Sequence, residues 1–214
     1  MKSAAGRSGR EAGGIILVVV SKNRTVEEVK AVLEAGVDQI GENRVLEAAR
    51  KKSAIPERVT YRLIGHLQRN KARQAAALFD AIDSVDSLRI AKKLSEELQA
   101  AGKTMPVLME VNCSGEETKN GFGPGEAEKA LIEMEELPGL EIKGLMTIGP
   151  LTDDAGTARR VFAGARELHE NLHKGRKGFN VLSMGMTDDF EIAIEEGSTM
   201  VRVGRAVFGK GVNI

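Results

Sequence analysis

Short apolar runs alternate with longer amphipathic segments along the whole chain. The apolar runs, rich in Val, Ile and Leu, are typical of parallel strands buried on both faces. They predict strands at residues 15–20, 39–41, 61–65, 81–85, 106–112, 140–147, 179–182 and 199–203. The segments between them have apolar residues at three- and four-residue spacing, which predicts helices at residues 25–36, 42–54, 68–78, 86–101, 127–137, 153–172 and 188–196. Asp86 is the expected N-cap of the fourth helix.

Strict alternation of strand and helix predicts parallel strands joined by right-handed crossovers. Eight such units within 214 residues predict an α/β fold, a closed (β/α)8 TIM barrel in a single domain. The competing architecture is an open, doubly wound sheet. Residues 1–14, rich in Gly, Ser and Arg, are expected to form an N-terminal arm or truncated helix, and residues 15–214 the barrel.

The composition narrows the classes of partner. Basic and acidic residues both number 31, so the chain has no net charge to attract nucleic acid or an anionic membrane. No apolar run reaches the roughly 18 residues of a membrane span, and the first residues lack the apolar core of a signal peptide. The single cysteine, Cys113, cannot form an internal disulfide. We therefore expect a cytoplasmic protein that binds neither nucleic acid nor membranes.

Candidate functional residues lie at the carboxyl ends of the predicted strands, because a parallel barrel places its chemistry there. Small and polar residues occupy these ends: Lys22 after the first strand, Glu42 and Asn43 after the second, His66 after the third, Asn112 and Ser114 after the fifth, Thr147 and Gly149 after the sixth, Ser183, Gly185 and Thr187 after the seventh, and Arg202, Gly204 and Arg205 at the eighth. The opposite strand ends carry little of note.

Lys22 follows the apolar run Ile15–Val20, from which only Ser21 separates it. An amine at the end of a buried strand is expected to be partly desolvated. It then loses its proton more readily and can attack an aldehyde to form a Schiff base. The alternative is that Lys22 simply marks the point where the strand meets water.

The loops after the seventh and eighth strands of a barrel often bind phosphate. Here they contain Ser183, Gly185, Thr187 and Gly204, whose hydroxyls and accessible backbone N–H groups suit an anion. Two ordinary glycine turns and a helix cap are the alternative. A lysine and a phosphate site at one barrel mouth, without a metal-ligand cluster, together indicate pyridoxal 5'-phosphate as the cofactor.

Arg202 interrupts the apolar eighth strand and is expected to point into the barrel mouth. A buried arginine needs a partner. The pyridine nitrogen of the cofactor is one candidate, and a salt bridge to Glu42 or another carboxylate is the other. Because arginine keeps its proton, it would leave that nitrogen unprotonated and the ring a weak electron sink. This arrangement argues against transaminase-type chemistry.

Six motifs in order carry a resemblance to a known family. They are VVSK at residues 19–22, IGENR at 40–44, LIGHLQRNK at 63–71, GLMTIG at 144–149, LSMGMTDDF at 182–190 and MVRVG at 200–204. Through them the chain, from Ile15 to Gly209, resembles the pyridoxal phosphate homeostasis proteins of the YggS/PROSC type. The resemblance implies the barrel of the alanine racemase N-terminal domain, standing alone.

The resemblance also implies roles for particular residues. The implied cofactor-binding residues are Lys22 for the Schiff base, Asn43 for the pocket lining, Arg202 for the pyridine nitrogen, and Ser183, Gly204 and Arg205 for the phosphate. Two departures from the family pattern stand out. The relatives have a longer helix before the first strand, and many have a small residue where this chain has Arg205.

The implied function is to hold pyridoxal 5'-phosphate and take part in its intracellular homeostasis, without turnover and so without catalytic residues. Cofactor-free enzymes that depend on pyridoxal phosphate are the expected recipients, and the protein is expected to be a monomer. The alternative is a pyridoxal phosphate-dependent amino-acid racemase, which needs a proton donor on each face of the substrate carbon. Lys22 could serve one face, but the only tyrosine, Tyr61, begins its strand at the wrong end of the barrel. We therefore favour the carrier.

Four other conspicuous residues are interpreted as structural. Cys113 is expected to be a small packing residue, since no histidine is close in sequence to activate it. His66 is expected to be a hydrogen-bonded structural histidine. His169 and His173 have the spacing of metal ligands on a helix, but no third ligand is evident, so a solvated helix face is expected.

Overall fold

Eight parallel strands close into a barrel. The computed structural model describes residues 1–209, so residues 210–214 of the predicted barrel segment lie outside the described residues. The strands are β1 Ile16–Val20, β2 Gln39–Glu42, β3 Thr60–Leu63, β4 Ala81–Val85, β5 Met105–Glu110, β6 Leu140–Met146, β7 Val181–Ser183 and β8 Met200–Val203. Each strand pairs with the next, and β8 pairs with β1. The predicted TIM barrel is confirmed, and the open-sheet alternative is wrong.

Helices connect successive strands and cover the outside of the barrel. They are α1 Lys2–Arg7, α2 Val26–Glu34, α3 Val45–Lys51, α4 Ala72–Leu78, α5 Leu88–Ala100, α6 Ala127–Glu135, α7 Ala155–His173, α8 Phe190–Glu195 and α9 Arg205–Phe208. Short 3-10 turns occur at Ala12–Gly14, Lys52–Ala54, Arg69–Lys71 and Pro124–Glu126. Within residues 1–209, none of these helices combines the length and apolar character needed to cross a bilayer.

The start of α5 differs from the prediction. Its N-cap is Ser87, whose hydroxyl accepts a hydrogen bond from the Ile90 N–H, and the expected cap Asp86 lies one residue too early. The Asp86 carboxylate instead bonds the His66 ring, with 2.5 Å between Oδ2 and Nδ1. The Asp86 carboxylate therefore contacts a residue distant in sequence and does not cap the helix.

The second βα unit also differs from the prediction, which placed a helix at residues 42–54. Glu42 is the last residue of β2, and α3 begins only at Val45. The Glu42 side chain is buried between the strand and α3, where it accepts a hydrogen bond from Lys51. Extended backbone at Glu42 thus serves a buried contact that helical periodicity alone does not reveal.

Alternate strand residues divide the barrel into an inner and an outer layer. The middle of the inner layer is apolar and consists of Val18, Ile64, Leu108, Met146 and Met200. The intervening residues, such as Val19, pack against the helices. Val18 and Val20 belong to the inward-facing set of β1. Lys22 lies two residues beyond Val20, in the turn at the carboxyl end of the barrel.

The amino-terminal segment is fastened to the last part of the barrel. Ala4 and Ala5 of α1 are buried in a cluster with Ile194, Val201 and Val203. The Arg7 guanidinium forms ion pairs of 2.6 Å with two glutamates of α8, Glu191 and Glu195. Helix α1 thus packs on the segment that connects β7 to β8.

Candidate cofactor site at the barrel mouth

Lys22 lies in the turn that follows β1, at the carboxyl end of the barrel. Its side chain is exposed, so the expectation of a partly desolvated amine is wrong. The backbone around it is closely held. The Ser21 N–H donates to the Gly41 carbonyl, and Asn23 has a left-handed φ of 58°. The amine is therefore accessible to a ligand in the mouth, on a turn with fixed geometry.

Arg202 lies inside the barrel, with only 3% of its surface exposed. Nη1 donates to Ser183 Oγ at 2.7 Å, and Nη2 donates to the Thr147 carbonyl at 2.9 Å. Three adjacent strands, β6 to β8, thus converge on one guanidinium. Arg202 is paired in register with Val18 of β1, four residues before Lys22. The guanidinium therefore lies deeper in the barrel than the amine.

The expected alternative partner of Arg202, a salt bridge to Glu42, is wrong. Glu42 faces the outside of the barrel, where it bonds Ser21 and Lys51. Burial lowers the pKa of Arg202, and the carboxylates of Asp83, Glu110 and Asp189 raise it. These groups influence the guanidinium without forming an ion pair with it. The N–H groups that bond neither Ser183 nor Thr147 remain available to a ligand in the mouth.

The two loops predicted to bind phosphate lie side by side, because β7 and β8 are neighbours. Ser183 is fully buried at the end of β7. Gly185 has a φ of 92°, and an added Cβ would lie 2.5 Å from that of Ala193. An added Cβ at Gly204 would lie 3.1 Å from the Val20 carbonyl. Gly185 therefore has to be glycine, both for its positive φ and for its packing against α8. At Gly204 a side chain would force the loop and β1 slightly apart.

Arg205 is exposed and pairs with Asp188. This contact joins the loop after β8 to the loop after β7. The neighbouring Asp189 accepts a hydrogen bond from the Met186 N–H at 2.6 Å. Arg205 thus lies at the outer edge of the two candidate phosphate-binding loops, and its charge is neutralised by the Asp188 carboxylate.

Asn43 lines a cleft between the loops after β2 and β3, together with Gly65 and His66. Its Oδ1 is buried and makes no hydrogen bond within residues 1–209. Gly65 is required here, since an added Cβ would lie 2.4 Å from the Asn43 carbonyl. An unpartnered buried acceptor at the mouth is suited to a ligand that donates a hydrogen bond.

Glu110 is a site residue that the sequence analysis missed. It ends β5 with 3% of its surface exposed, and its Oε2 has no hydrogen-bond partner among residues 1–209. Burial raises the pKa of Glu110 to about 7; the Asp86 charge acts in the same direction, whereas Arg202 and His66 oppose it. A buried carboxyl with a raised pKa therefore lies within electrostatic range of the Arg202 guanidinium.

The Glu110 carboxyl predicts a pH-dependent stability. In the folded chain it keeps its proton up to about pH 7, whereas the unfolded chain loses it near the ordinary pKa of 4.5. Raising the pH through this interval therefore destabilises the folded state, by about 2 to 3 kcal/mol. We expect Glu110→Gln to gain that much stability relative to the wild type between pH 5 and pH 8, measured by urea unfolding. The exposed Glu128→Gln is the control, and parallel pH profiles for all three proteins would contradict the prediction.

The structure brings some of the predicted site residues together and leaves others apart. Ser183 and Arg202 are in direct contact, and Gly204 packs against Val20, two residues before Lys22. Asn43 lies in the cleft between β2 and β3, whose lining does not include Lys22. A charged residue within an apolar strand was the signal for Arg202. The same signal applies to Asp83 and Glu110, which were overlooked.

The residues interpreted as structural behave differently from one another. Cys113 packs beside the main core, and burial raises the pKa of its thiol. Tyr61 is buried and donates to the Ala48 carbonyl at 3.2 Å. The solvated face expected for His169 is wrong, because its ring stacks on Phe179 with 5.4 Å between the centroids. Burial lowers the pKa of His169 to about 4. Within residues 1–209 no group of three potential ligands could hold a metal ion.

Comparison with known proteins agrees with this geometry. The family model described as alanine racemase, N-terminal domain, matches residues 12–211. A pyridoxal phosphate homeostasis protein from Pseudomonas aeruginosa is 37% identical over 210 residues, which are 98% of this chain and 90% of the relative.

Two solved structures share the fold at comparable identity. The structure of PipY from Synechococcus elongatus with pyridoxal phosphate bound is 33% identical, with a TM-score of 0.84, over 97% of this chain and 98% of that chain. A protein from Bifidobacterium adolescentis described as unknown is 41% identical, with a TM-score of 0.89, over 96% and 88% of the two chains. The chain therefore belongs to the family of pyridoxal phosphate homeostasis proteins, which have the barrel of the alanine racemase N-terminal domain.

Proposed function

We propose that this protein binds pyridoxal 5'-phosphate at the barrel mouth and holds it through a Schiff base with Lys22. The observation that carries the proposal is the Arg202 guanidinium. It is buried within the barrel, bonded to Ser183 of the neighbouring strand, and deeper than the exposed Lys22. The mouth therefore offers a group for each part of the cofactor: the loops after β7 and β8 for the phosphate, Arg202 for the ring nitrogen and Lys22 for the aldehyde.

The residues of the mouth fit this cofactor. A Cβ would collide with Ala193 at Gly185 and would crowd the Val20 carbonyl at Gly204, and glycines at such positions let backbone N–H groups approach a phosphate. Asn43 Oδ1 is a buried acceptor without a partner among the described residues. When bound, the cofactor supplies an aldehyde. Lys22 would hold this aldehyde through its amine, in a condensation that releases one water and requires neither oxidant nor reductant.

A carrier function is supported by the relatives and by the residues around the site. The Pseudomonas aeruginosa relative is named as a homeostasis protein, and PipY has been solved with pyridoxal phosphate. Racemisation needs a second proton donor opposite Lys22. Tyr61 does not supply it, because its hydroxyl is bonded to the Ala48 carbonyl outside the barrel. We propose that the protein stores the cofactor and releases it to cofactor-free enzymes.

The test is a titration of purified protein with pyridoxal 5'-phosphate, followed by borohydride reduction and peptide mapping. We expect a band at the violet edge of the visible spectrum and a reduced adduct on Lys22. Incubation of the loaded protein with L-alanine or L-serine should leave the D-isomer at background in chiral analysis. An adduct on another lysine refutes the proposed site, and sustained formation of the D-isomer favours the racemase.

A further inference from the structure

A buried cluster of charges lies directly behind Lys22, on the outer side of the strand. Its centre is Lys51, the last residue of α3, which is only 5% exposed. Lys51 Nζ donates to the Ser21 carbonyl at 2.6 Å, to Glu42 Oε1 at 2.8 Å and to Glu47 Oε1 at 2.7 Å. A lysine ammonium has three donors, and all three are used.

The cluster holds the residues on both sides of Lys22. On one side, the Ser21 carbonyl bonds Lys51 directly, and the Ser21 hydroxyl donates to Glu42 Oε1 at 2.7 Å. On the other side, the Asn23 N–H donates to Glu47 Oε1 at 2.6 Å. One buried ammonium thus connects the residue before Lys22 with the residue after it.

The contacts of the cluster hold Asn23 in an unusual backbone conformation. Asn23 is the only non-glycine residue with a positive φ, 58°, among residues 1–209. Asparagine adopts the left-handed conformation more readily than most other non-glycine residues. The charge-assisted bond from the Asn23 N–H to Glu47 holds the turn in this conformation. The backbone that follows Lys22 is therefore held by a contact of the cluster.

We propose that Lys51 is a positioning residue for the Lys22 amine, which it aims into the barrel mouth through Ser21 and Asn23. This inference rests on the proposed function, because it assigns the Schiff base to Lys22. Lys51 itself is unsuited to that linkage. All three of its N–H donors are engaged on the outer side of the strand, so its nitrogen does not reach a ligand in the barrel mouth.

Two phosphorylated ligands distinguish a misplaced Lys22 amine from a general loss of binding at the site. Pyridoxal 5'-phosphate can bond covalently to Lys22, whereas pyridoxamine 5'-phosphate has an amine in place of the aldehyde and cannot. We expect Lys51→Met combined with Glu42→Gln to weaken binding of the aldehyde by about 10-fold or more, because small displacements of a reacting group are costly. Binding of the amine form should change by less than about 3-fold.

The double substitution avoids leaving the Glu42 carboxylate buried without its counter-ion, which by itself could prevent folding. The matched control is Lys93→Met combined with Glu97→Gln. It removes another lysine–glutamate pair, with 2.7 Å between Nζ and Oε1, that lies on α5 and contacts neither Ser21 nor Asn23. In this control, the ratio of the affinity for pyridoxal 5'-phosphate to the affinity for pyridoxamine 5'-phosphate should equal that of the wild type.

Glu47→Gln gives an independent readout without any cofactor. It weakens only the arm of the cluster that holds Asn23, and its carboxylate lies nearer the surface. In hydrogen exchange of the cofactor-free protein, the Asn23 amide should exchange about 10-fold faster than in the wild type. Amides in β5, distant from the cluster, should keep their rates.

Equal weakening of both ligands in the Lys51 variant, or no weakening, refutes the positioning role. Unchanged exchange of the Asn23 amide in Glu47→Gln also refutes it. Failure of the proposed function has a different signature. In that case the wild type itself binds both ligands equally, and borohydride traps no adduct on Lys22.

Discussion

Lys22→Ala is expected to abolish the visible absorption band of protein mixed with pyridoxal 5'-phosphate. Without the amine, only the phosphate and ring contacts remain, so the affinity should fall by about 100-fold or more. Lys22 is exposed beyond the end of β1, and its truncation leaves no buried group unpaired. The melting temperature without cofactor should therefore stay close to that of the wild type. Absorbance spectra report the band, isothermal titration calorimetry gives the affinity, and differential scanning calorimetry gives the melting temperature.

Lys30→Ala is the matched control for this substitution. Lys30 is also exposed, on α2, on the outside of the barrel. The control should keep both the band and the affinity. If Lys22→Ala still shows the band, the Schiff base forms on another lysine and the assignment to Lys22 is wrong.

Arg202→Ala is expected to lower both the stability of the protein and its affinity for the cofactor. The guanidinium bonds Ser183 and Thr147 inside the barrel and moderates the charges of Asp83 and Glu110. Its removal leaves the buried Ser183 hydroxyl and Thr147 carbonyl without their charged donor, which costs about 3 kcal/mol of unfolding free energy. On the proposed function Arg202 donates to the ring nitrogen, so its loss should weaken cofactor binding by about 10- to 100-fold. The visible band should persist at saturating cofactor, because Lys22 is untouched.

Arg89→Ala, an exposed arginine on α5, is the control and should match the wild type in both measurements. Urea unfolding at neutral pH gives the stability, and fluorescence titration gives the affinity. Retention of full affinity by Arg202→Ala would remove the role assigned to Arg202 in cofactor binding.

The barrel could be predicted from the sequence because its signals are local. Continuous Val and Ile runs are typical of strands covered on both faces, and regular alternation with helical segments leaves few topologies. The errors occur where a distant residue competes with a local signal. Asp86 bonds His66 and leaves the cap of α5 to Ser87. His169 has the spacing of a solvated face but stacks on Phe179, which follows the helix along the chain.

Only part of the candidate site could be predicted from the sequence, namely the residues at strand ends and the single charged residues within apolar runs. Lys22 and Arg202 stand out because each interrupts or ends an apolar run. The partners of these residues do not stand out. Ser21, Glu42 and Lys51 meet only after β1, β2 and α3 pack together. Glu110 acquires its raised pKa from burial, which depends on barrel closure and not on its neighbours in sequence.

The pairing of β8 with β1 separates the proposed site residues in time during synthesis. Lys22 leaves the ribosome about 180 residues before Arg202 and the loop at Gly204. On the proposed function, a nascent chain therefore retains the vitamin-derived aldehyde only after the eighth strand has joined the first, and the cofactor binds only to a closed barrel.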